Sequence, residues 1–173
     1  MEFRTTSSPH LEDRHSVGGV MLQVLLALLP AIAVGYWLFG WGLLSNLVLA
    51  ITFGLALEAL CLKVRGKVIG PFLGDYSAVL TACLLALALP PLSAWWLILV
   101  GMFFAIVIAK HLYGGLGYNP FNPAMVGYVV LLISFPTQMT MWASPSFCCD
   151  HAPPLQQTLQ YVFAETLPGG TTW

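Results

Sequence analysis

A long stretch without charged side chains dominates the first third of the chain. Residues 15–57 contain no Asp, Glu, Lys or Arg. As a single helix rising ~1.5 Å per residue, this stretch would be about 65 Å long, roughly twice the ~30 Å hydrocarbon core of a bilayer. It therefore predicts two membrane crossings, helix 1 over Val20–Phe39 and helix 2 over Leu43–Leu62, with glycines in the turn between them to permit the reversal.

The overall composition excludes several classes of protein. Residues of the AVILMFWYC set make up 58% of the chain and charged residues only 8%, whereas soluble domains have about 25% charged residues. So few charges cannot cover a water-facing surface, and the high apolar content excludes a disordered chain. The net charge of -1 argues against binding to nucleic acid, which needs a basic surface. The lipid bilayer is the expected partner.

Three further crossings follow. Pro90-Pro91 cannot continue a helix, so they separate a short helix 3 over Tyr76–Leu89 from helix 4 over Ser93–Ala109. Helix 5 is predicted over Ala124–Phe135, and a continuation past Pro136 to Trp142 stays open. The predicted fold class is an all-α integral membrane protein with about five transmembrane helices.

Basic residues predict how these helices are oriented. All six lie in segments that are separated by even numbers of crossings: Arg4, Arg14, Lys63, Arg65, Lys67 and Lys110. They therefore share one face, which the positive-inside rule places in the cytoplasm. Residues 1–19 are then a cytoplasmic N-terminal segment rather than a secretory signal, 20–142 the five-helix membrane domain, and 143–173 a polar, loop-like periplasmic tail.

Motifs of metal binding or soluble catalysis are missing from the sequence. Cys61 and Cys83 stand singly in apolar helices and are predicted to be small buried side chains. Cys148 and Cys149 are neighbours in the tail, and no C-x-x-C spacing occurs, so no metal site is expected. Because hydrolase, kinase and dinucleotide-binding motifs are also absent, no self-contained catalytic site is predicted.

Three ionisable residues lie near the predicted helix ends. Glu58 is expected to reach the membrane interface, drawn there by Lys63 or Arg65, and Asp75 to cap helix 3. We favour these anchoring roles over a role in an ion pathway, although an ionisable residue inside a membrane bundle often has a function. His111 is predicted to be a residue at headgroup level rather than a metal ligand, because no second His or carboxylate lies three or four residues later.

The segment between helices 4 and 5 is the most distinctive motif. Residues 110–125 read KHLYGGLGYNPFNPAM. Its glycines allow a close approach of the backbone to a ligand, and Asn122 stands at the N-cap position of helix 5, with Pro123 in the first turn. Amide and aromatic side chains together suit a planar, hydrogen-bonding ligand such as an isoalloxazine or a quinone. A plain capped loop is the competing interpretation, and spacing alone favours it.

Several segments carry a resemblance to a known family. They are residues 3–10 (FRTTSSPH), 75–81 (DYSAVLT), 89–91 (LPP), 109–125 (AKHLYGGLGYNPFNPAM) and 127–140 (GYVVLLISFPTQMT). Over residues 3 to 142 the chain resembles the D subunit of the Rnf ion-translocating electron-transport complex. It is more distantly similar to the B subunit of the sodium-translocating NADH:quinone reductase.

This resemblance implies a subunit of a bacterial inner-membrane redox pump. Such complexes pass electrons between ferredoxin and NAD, couple the transfer to movement of Na⁺ or H⁺, and would supply the partner subunits. The family carries a covalent FMN on the outer side and a riboflavin nearer the cytoplasm. The riboflavin-side match falls on Asn119 and Asn122, whose amides would hydrogen-bond the isoalloxazine edge, and on Gly115 and Gly117 beside Gly114.

The sequence departs from the family in length and in one motif. Family members are about twice as long, with some ten helices in two halves of opposite orientation, so five crossings match the first half. The family attaches FMN to a Thr in a Ser-x-Ala-Thr motif, which does not occur here. Thr171 and Thr172 lack the flanking Ser and Ala. The resemblance therefore places the FMN site beyond Trp173 and predicts a truncated tail.

Two other classes of function stay open. Half of an inverted-repeat channel or transporter would have the same helices, but it would show no flavin absorption. A purely structural membrane subunit would keep electron transfer intact after substitutions in the loop.

Overall fold

The computed structural model describes residues 16–68, 70, 74–145 and 153–164, and within these residues every regular element is helical. In chain order the elements are α1 (Val17–Phe39), α2 (Trp41–Val64), α3 (Ser77–Ala88), α4 (Trp95–Phe103), a π-helix (Phe104–His111) that continues α4, α5 (Pro123–Ser134), α6 (Pro136–Thr140) and α7 (Leu155–Ala164).

The first two helices are long and apolar enough to cross a bilayer. They have 23 and 24 residues, which exceeds the ~20 that a crossing needs. The turn between them is a single residue, Gly40, with φ 59°. Its N–H donates to the carbonyl of Tyr36 at 2.7 Å, which ends α1, and a side chain would be strained at this φ. The predicted reversal between helices 1 and 2 is confirmed.

α3 and α4 pack against α2, α5 packs against α3, α4 and the π-helix, and together they form the core. α3 is only 12 residues long, as the sequence predicts, and it is shielded by protein rather than lipid. Its buried face meets α2 and α5, whereas α1 has no buried residue and lies on the outside. The fully buried apolar side chains include Ala50, Ala82, Leu85, Ala86, Leu89, Leu97, Ile98, Met102, Ile106 and Leu131.

Two glycines bring α4 and α5 into close contact. A Cβ atom placed on Gly127 would lie 2.6 Å from the carbonyl oxygen of Gly101, and one on Gly101 would lie 2.7 Å from Cδ1 of Leu131. Small residues allow this approach, and in lipid, where helices gain little from apolar burial, close packing is a main source of association.

Tryptophan and basic residues collect at opposite ends of the bundle. At one end Nδ2 of Asn46, near the start of α2, donates to the carbonyl of Pro90 at 2.8 Å, and the rings of Phe39 and Trp142 are 6.0 Å apart. We call this the tryptophan end, because the five described tryptophans flank these contacts: Trp37, Trp41, Trp95, Trp96 and Trp142.

The basic end is the opposite one, and it holds the described basic residues Lys63, Arg65, Lys67 and Lys110. This separation is typical of an integral membrane protein. It places the described cations on the shared face that the sequence predicts. Arg4 and Arg14 lie outside the described residues, and which end faces the cytoplasm stays a prediction.

Two predicted boundaries need correction. Helix 4 begins at Trp95 and extends through His111 rather than ending at Ala109, because the chain continues as a π-helix with bonds such as Leu112 N–H to Val107 C=O at 3.0 Å. Helix 5 ends at Ser134, since Phe135 leaves helical geometry at φ -133°. The short α6 that follows ends at Thr140 and does not reach Trp142.

The prediction of a loop-like tail is wrong for residues 155–164, which form α7 and pack on α2. The helix follows Pro153-Pro154, and the carbonyl of Pro154 accepts from the N–H of Thr158 at 3.0 Å. The apolar residues Leu155, Leu159 and Val162 recur at helical spacing. The neighbouring prolines made the segment look like a loop in the sequence.

Candidate functional site at the basic end

Glu58 lies inside the bundle rather than at the interface. Its side chain is 2% exposed, and its Oε1 accepts from Nζ of Lys110 at 2.8 Å. Nζ of Lys110 also donates to Oγ of Ser77 at 2.8 Å, so the ammonium group joins α2, α3 and the π-helix. The prediction of Glu58 as an interfacial anchor is wrong, because its partner comes from a distant helix and not from Lys63 or Arg65.

Asp75 extends this cluster and caps α3. The backbone N–H of Ser77 donates to Oδ1 of Asp75 at 2.8 Å, and the hydroxyl of Ser77 donates to the same oxygen. A chain of hydrogen bonds therefore runs from Asp75 through Ser77 and Lys110 to Glu58. Asp75 therefore accepts from the first N–H of α3, as the sequence predicts, but it does so from the position before the N-cap residue Tyr76, which lies in the left-handed region at φ 58°.

His111 faces the second oxygen of Glu58. Its Nε2 is 3.0 Å from Oε2, and no hydrogen-bond partner is found for either atom in the described part of the chain. Its Nδ1 is 3.4 Å from Nη1 of Arg65. Because a guanidinium only donates, a hydrogen bond here requires Nδ1 as the acceptor and, in a neutral ring, the proton on Nε2. His111 is 8% exposed, so its side chain faces protein rather than lipid, and its depth relative to the headgroups stays a prediction.

The two buried charges of this cluster balance. The carboxylate of Glu58 is paired with Lys110, whereas Asp75 is partly buried and Arg65 is exposed. Nη1 of Arg65 also donates to the carbonyl of His111 at 3.3 Å. Buried charges are costly unless they are paired and hydrogen-bonded. The π-helix supplies two adjacent side chains to one carboxylate, and π-helical turns are frequent at functional sites. We use the name buried charge cluster for Glu58, Lys110, His111 and Ser77, together with the adjoining Asp75 and Arg65.

The cap at Asp75 makes a measurable contribution. Asp75→Ala is expected to lower the free energy of unfolding by about 0.5–2 kcal/mol, because the first turn of α3 loses an acceptor for its N–H groups. Asp75→Asn retains an oxygen at Oδ1 and is expected to recover most of the loss. Unfolding of the full-length protein in mixed micelles measures both, and an equal loss in the two variants would contradict the capping role.

The loop that follows the cluster has two features that the sequence predicts: glycines that allow unusual backbone angles, and an N-cap where the next helix begins. Gly114, Gly115 and Gly117 have φ values of 115°, 114° and 89°, which other residues rarely adopt. Oδ1 of Asn122 accepts from the N–H of Ala124 at 3.0 Å, so the predicted N-cap of helix 5 is confirmed, with Pro123 at the first position.

Each loop asparagine keeps one amide atom available. Nδ2 of Asn119 donates to the carbonyl of Phe121 at 2.9 Å. Among the described residues, no partner is found for Oδ1 of Asn119 or for Nδ2 of Asn122. The rings of Tyr118 and Phe121 are exposed on the same loop. The loop therefore presents an acceptor, a donor and aromatic faces to its surroundings.

A small cavity joins the loop to the buried charge cluster. Its volume is about 150 Å³, and Gly114, Gly115 and Tyr118 line it together with Glu58 and Lys110. Sites for small ligands usually measure roughly 300–1,000 Å³, so the described residues do not enclose a flavin.

The structure brings only some of the predicted riboflavin residues together. Gly115 belongs to the lining of this cavity, and Gly117, Asn119 and Asn122 do not. The predicted residues fit one wall of a flavin site, since they form an exposed loop with positive-φ glycines and unused amide atoms. Their role toward riboflavin stays a prediction.

The remaining candidates give a mixed result. Cys83 is buried as predicted, but Cys61 is only partly buried. Within the described ranges no three His, Cys, Asp or Glu side chains group to hold a metal ion. Cys148, Cys149, Thr171 and Thr172 lie outside the described residues.

Sequence reasoning missed the pairing of Glu58 with Lys110. The two are 52 positions apart, so no local spacing rule can join them. The sequence did contain one usable signal, because charged residues are rare in this chain. An acidic residue in one apolar helix and a basic residue at the end of another are expected to pair.

These features define a class: an all-helical integral membrane protein whose one end combines a buried charge cluster with a glycine- and asparagine-rich loop. The chain belongs to the NQR2, RnfD, RnfE family, whose profile it matches over residues 4–171.

Relatives that are named as the D subunit of an ion-translocating oxidoreductase complex match nearly the whole chain. The protein of Escherichia fergusonii is 51% identical over 171 residues, which are 98% of this chain and 49% of the relative. Those of Salmonella paratyphi B and Salmonella typhimurium are 50% identical over the same shares. The chain spans about half the length of these relatives.

Proposed function

We propose that this chain is part of a membrane subunit of an ion-translocating oxidoreductase complex of the bacterial inner membrane, and that its basic end helps to hold a riboflavin. Family membership and the names of the relatives support the first statement. The observation that carries the second is the loop at residues 112–122, where unused amide atoms and positive-φ glycines stand beside a helix start.

Each loop residue has a defined task in this proposal. Nδ2 of Asn122 donates to an acceptor on the ring edge and Oδ1 of Asn119 accepts from a ring N–H, because these atoms are not used within the loop. Gly115 and Gly117 let backbone approach the ring, and Tyr118 offers an aromatic face for stacking. Riboflavin supplies the ability to accept and pass on electrons, and the chain orients it.

The loop needs a second surface to complete the site. The cavity of about 150 Å³ beside it is too small for the whole ligand. We therefore assign the opposite wall to other parts of the complex, either further residues of the subunit or a partner subunit. The covalent FMN that the resemblance implies is assigned to residues outside those the structure describes.

The complex is proposed to couple electron transfer between ferredoxin and NAD to movement of Na⁺ or H⁺ across the membrane. The cytoplasm is proposed to lie at the basic end, which the positive-inside rule supports. On this assignment the riboflavin loop and the buried charge cluster share the cytoplasmic side.

Substitutions at Asn122 test the riboflavin site, because its two amide atoms have different tasks. Asn122→Ser keeps an oxygen that can cap α5 and replaces the amide donor with a hydroxyl on a shorter side chain, which does not reach the ring edge. Asn122→Leu removes both. We expect either variant of the full-length protein in its complex to lose most of the acid-extractable riboflavin, and only Asn122→Leu to destabilise the fold as well, by about 0.5–2 kcal/mol.

Flavin content and electron transfer are measured on the purified complex, with covalent FMN as the internal reference. Unchanged riboflavin and turnover in Asn122→Ser would contradict the proposed contact. Absence of any flavin absorption in the wild-type complex would instead favour a channel or transporter half.

A further inference from the structure

α7 has an apolar surface that the bundle covers only in part. Thr158 and Val162 are fully buried, whereas Leu155, Leu159 and Phe163 are 45%, 42% and 55% exposed. α7 packs on α2, so the buried pair marks the side that faces the bundle. The exposed three follow one another at a spacing of four residues, which is the spacing of a single helix face.

The helix divides into three sectors. Successive residues of an α-helix are about 100° apart, which places Thr158, Val162, Leu155, Leu159 and Phe163 in that order along one arc of about 140°. Leu155, Leu159 and Phe163, which we call the apolar stripe, therefore adjoin the edge that touches the bundle. The opposite sector is polar and holds Gln156, Gln157 and Gln160.

α7 lies at the tryptophan end of the bundle. Its Tyr161 lines a cavity of about 190 Å³ together with Trp96 and Trp142. The helix that it packs on, α2, begins with the partly exposed Trp41. Exposed tryptophans are typical of the boundary between lipid headgroups and acyl chains. The apolar stripe therefore continues an apolar surface at the level where a bilayer would end.

We infer that α7 is an interfacial helix that lies along the membrane surface at the tryptophan end, with the apolar stripe in lipid, the glutamines in water and Thr158 and Val162 against the bundle. A helix in such a place has protein at one side, lipid beneath and water above. The three sectors of α7 match these environments, because one is buried against the bundle, one is apolar and one is polar. Interfacial helices commonly carry Lys or Arg for anionic lipids. α7 has no charged residue, so its contact with lipid is apolar and needs no particular headgroup charge.

Spin labels on single cysteines test this placement in the full-length complex, reconstituted in liposomes. Labels go on positions 155, 159 and 163, with matched controls on 156, 157 and 160 of the same helix, in a background without the native cysteines. All six are surface positions of α7, so that the labels do not disturb its packing. Collisions with oxygen, which concentrates in lipid, and with a water-soluble nickel chelate are measured for each label.

We expect a higher ratio of oxygen to nickel collisions at the apolar stripe than at the three glutamine positions. The pattern is expected to be the same in zwitterionic and in anionic liposomes. Low collision rates with both reagents at the stripe would show that another protein surface covers it, and high nickel collision rates would show that it faces water. Either result overturns the inference, and neither depends on whether the complex holds riboflavin.

Discussion

Lys110→Met is expected to destabilise the full-length protein by about 3–5 kcal/mol, because it leaves the buried carboxylate of Glu58 without its cation. Nζ of Lys110 makes two hydrogen bonds of 2.8 Å, one to Glu58 and one to Ser77. Met fills a similar volume, so the loss reports charge rather than packing. The free energy of unfolding in mixed micelles measures it.

Two further variants separate charge from other effects. Glu58→Met combined with Lys110→Met removes both partners, and we expect it to be closer to wild type than Lys110→Met alone. Lys63→Met, at an exposed position near the end of the same helix that carries Glu58, is expected to change the free energy by no more than about 0.5 kcal/mol. Equal losses in the single and the double variant would contradict a charge-pairing role.

Gly127→Val is expected to separate α4 from α5 and to cost at least about 1–3 kcal/mol, the usual penalty of overpacking. The reason is that the added Cβ would lie 2.6 Å from the backbone oxygen of Gly101 and 3.2 Å from Cβ of Ala105. A backbone atom cannot move aside as the end of a side chain can. The helices themselves must shift.

Unfolding in mixed micelles again provides the measurement, with Ile133→Val on the same helix as the control. Ile133 is 76% exposed, so its truncation is expected to have little effect in either direction. Gly127→Ala is expected to lie between the control and Gly127→Val. Wild-type stability of Gly127→Ala would show that the two helices are not held as closely as the structure describes.

Local features of the fold were predictable, because they depend on residues near one another in the chain. Gly40 ends α1 and Asn122 caps α5, and both follow from backbone geometry that few residue types allow. The membrane class followed from the lack of charge over residues 15–57. In each case the physical cause acts within a few residues.

The features that were missed depend on contacts between distant segments. Glu58 and Lys110 meet only once α2 and the π-helix have packed. The composition of residues 104–111 also does not predict the change from α-helical to π-helical geometry. Family resemblance placed Asn119 and Asn122 near a flavin, but their residue types alone fit a plain capped loop equally well. What the site binds is decided by surfaces beyond that loop.

The buried pairing of α2 with the π-helix has a consequence for biogenesis. A nascent polypeptide delivers α2 to the translocon before its partner has been synthesised, since Lys110 follows Glu58 by 52 positions. A carboxylate in an isolated helix costs up to about 3.5 kcal/mol in translocon insertion, and the strongly apolar remainder of α2 must offset that cost. The arrival of the later helix then relieves it, so α2 holds an unpaired carboxylate until Lys110 has entered the membrane.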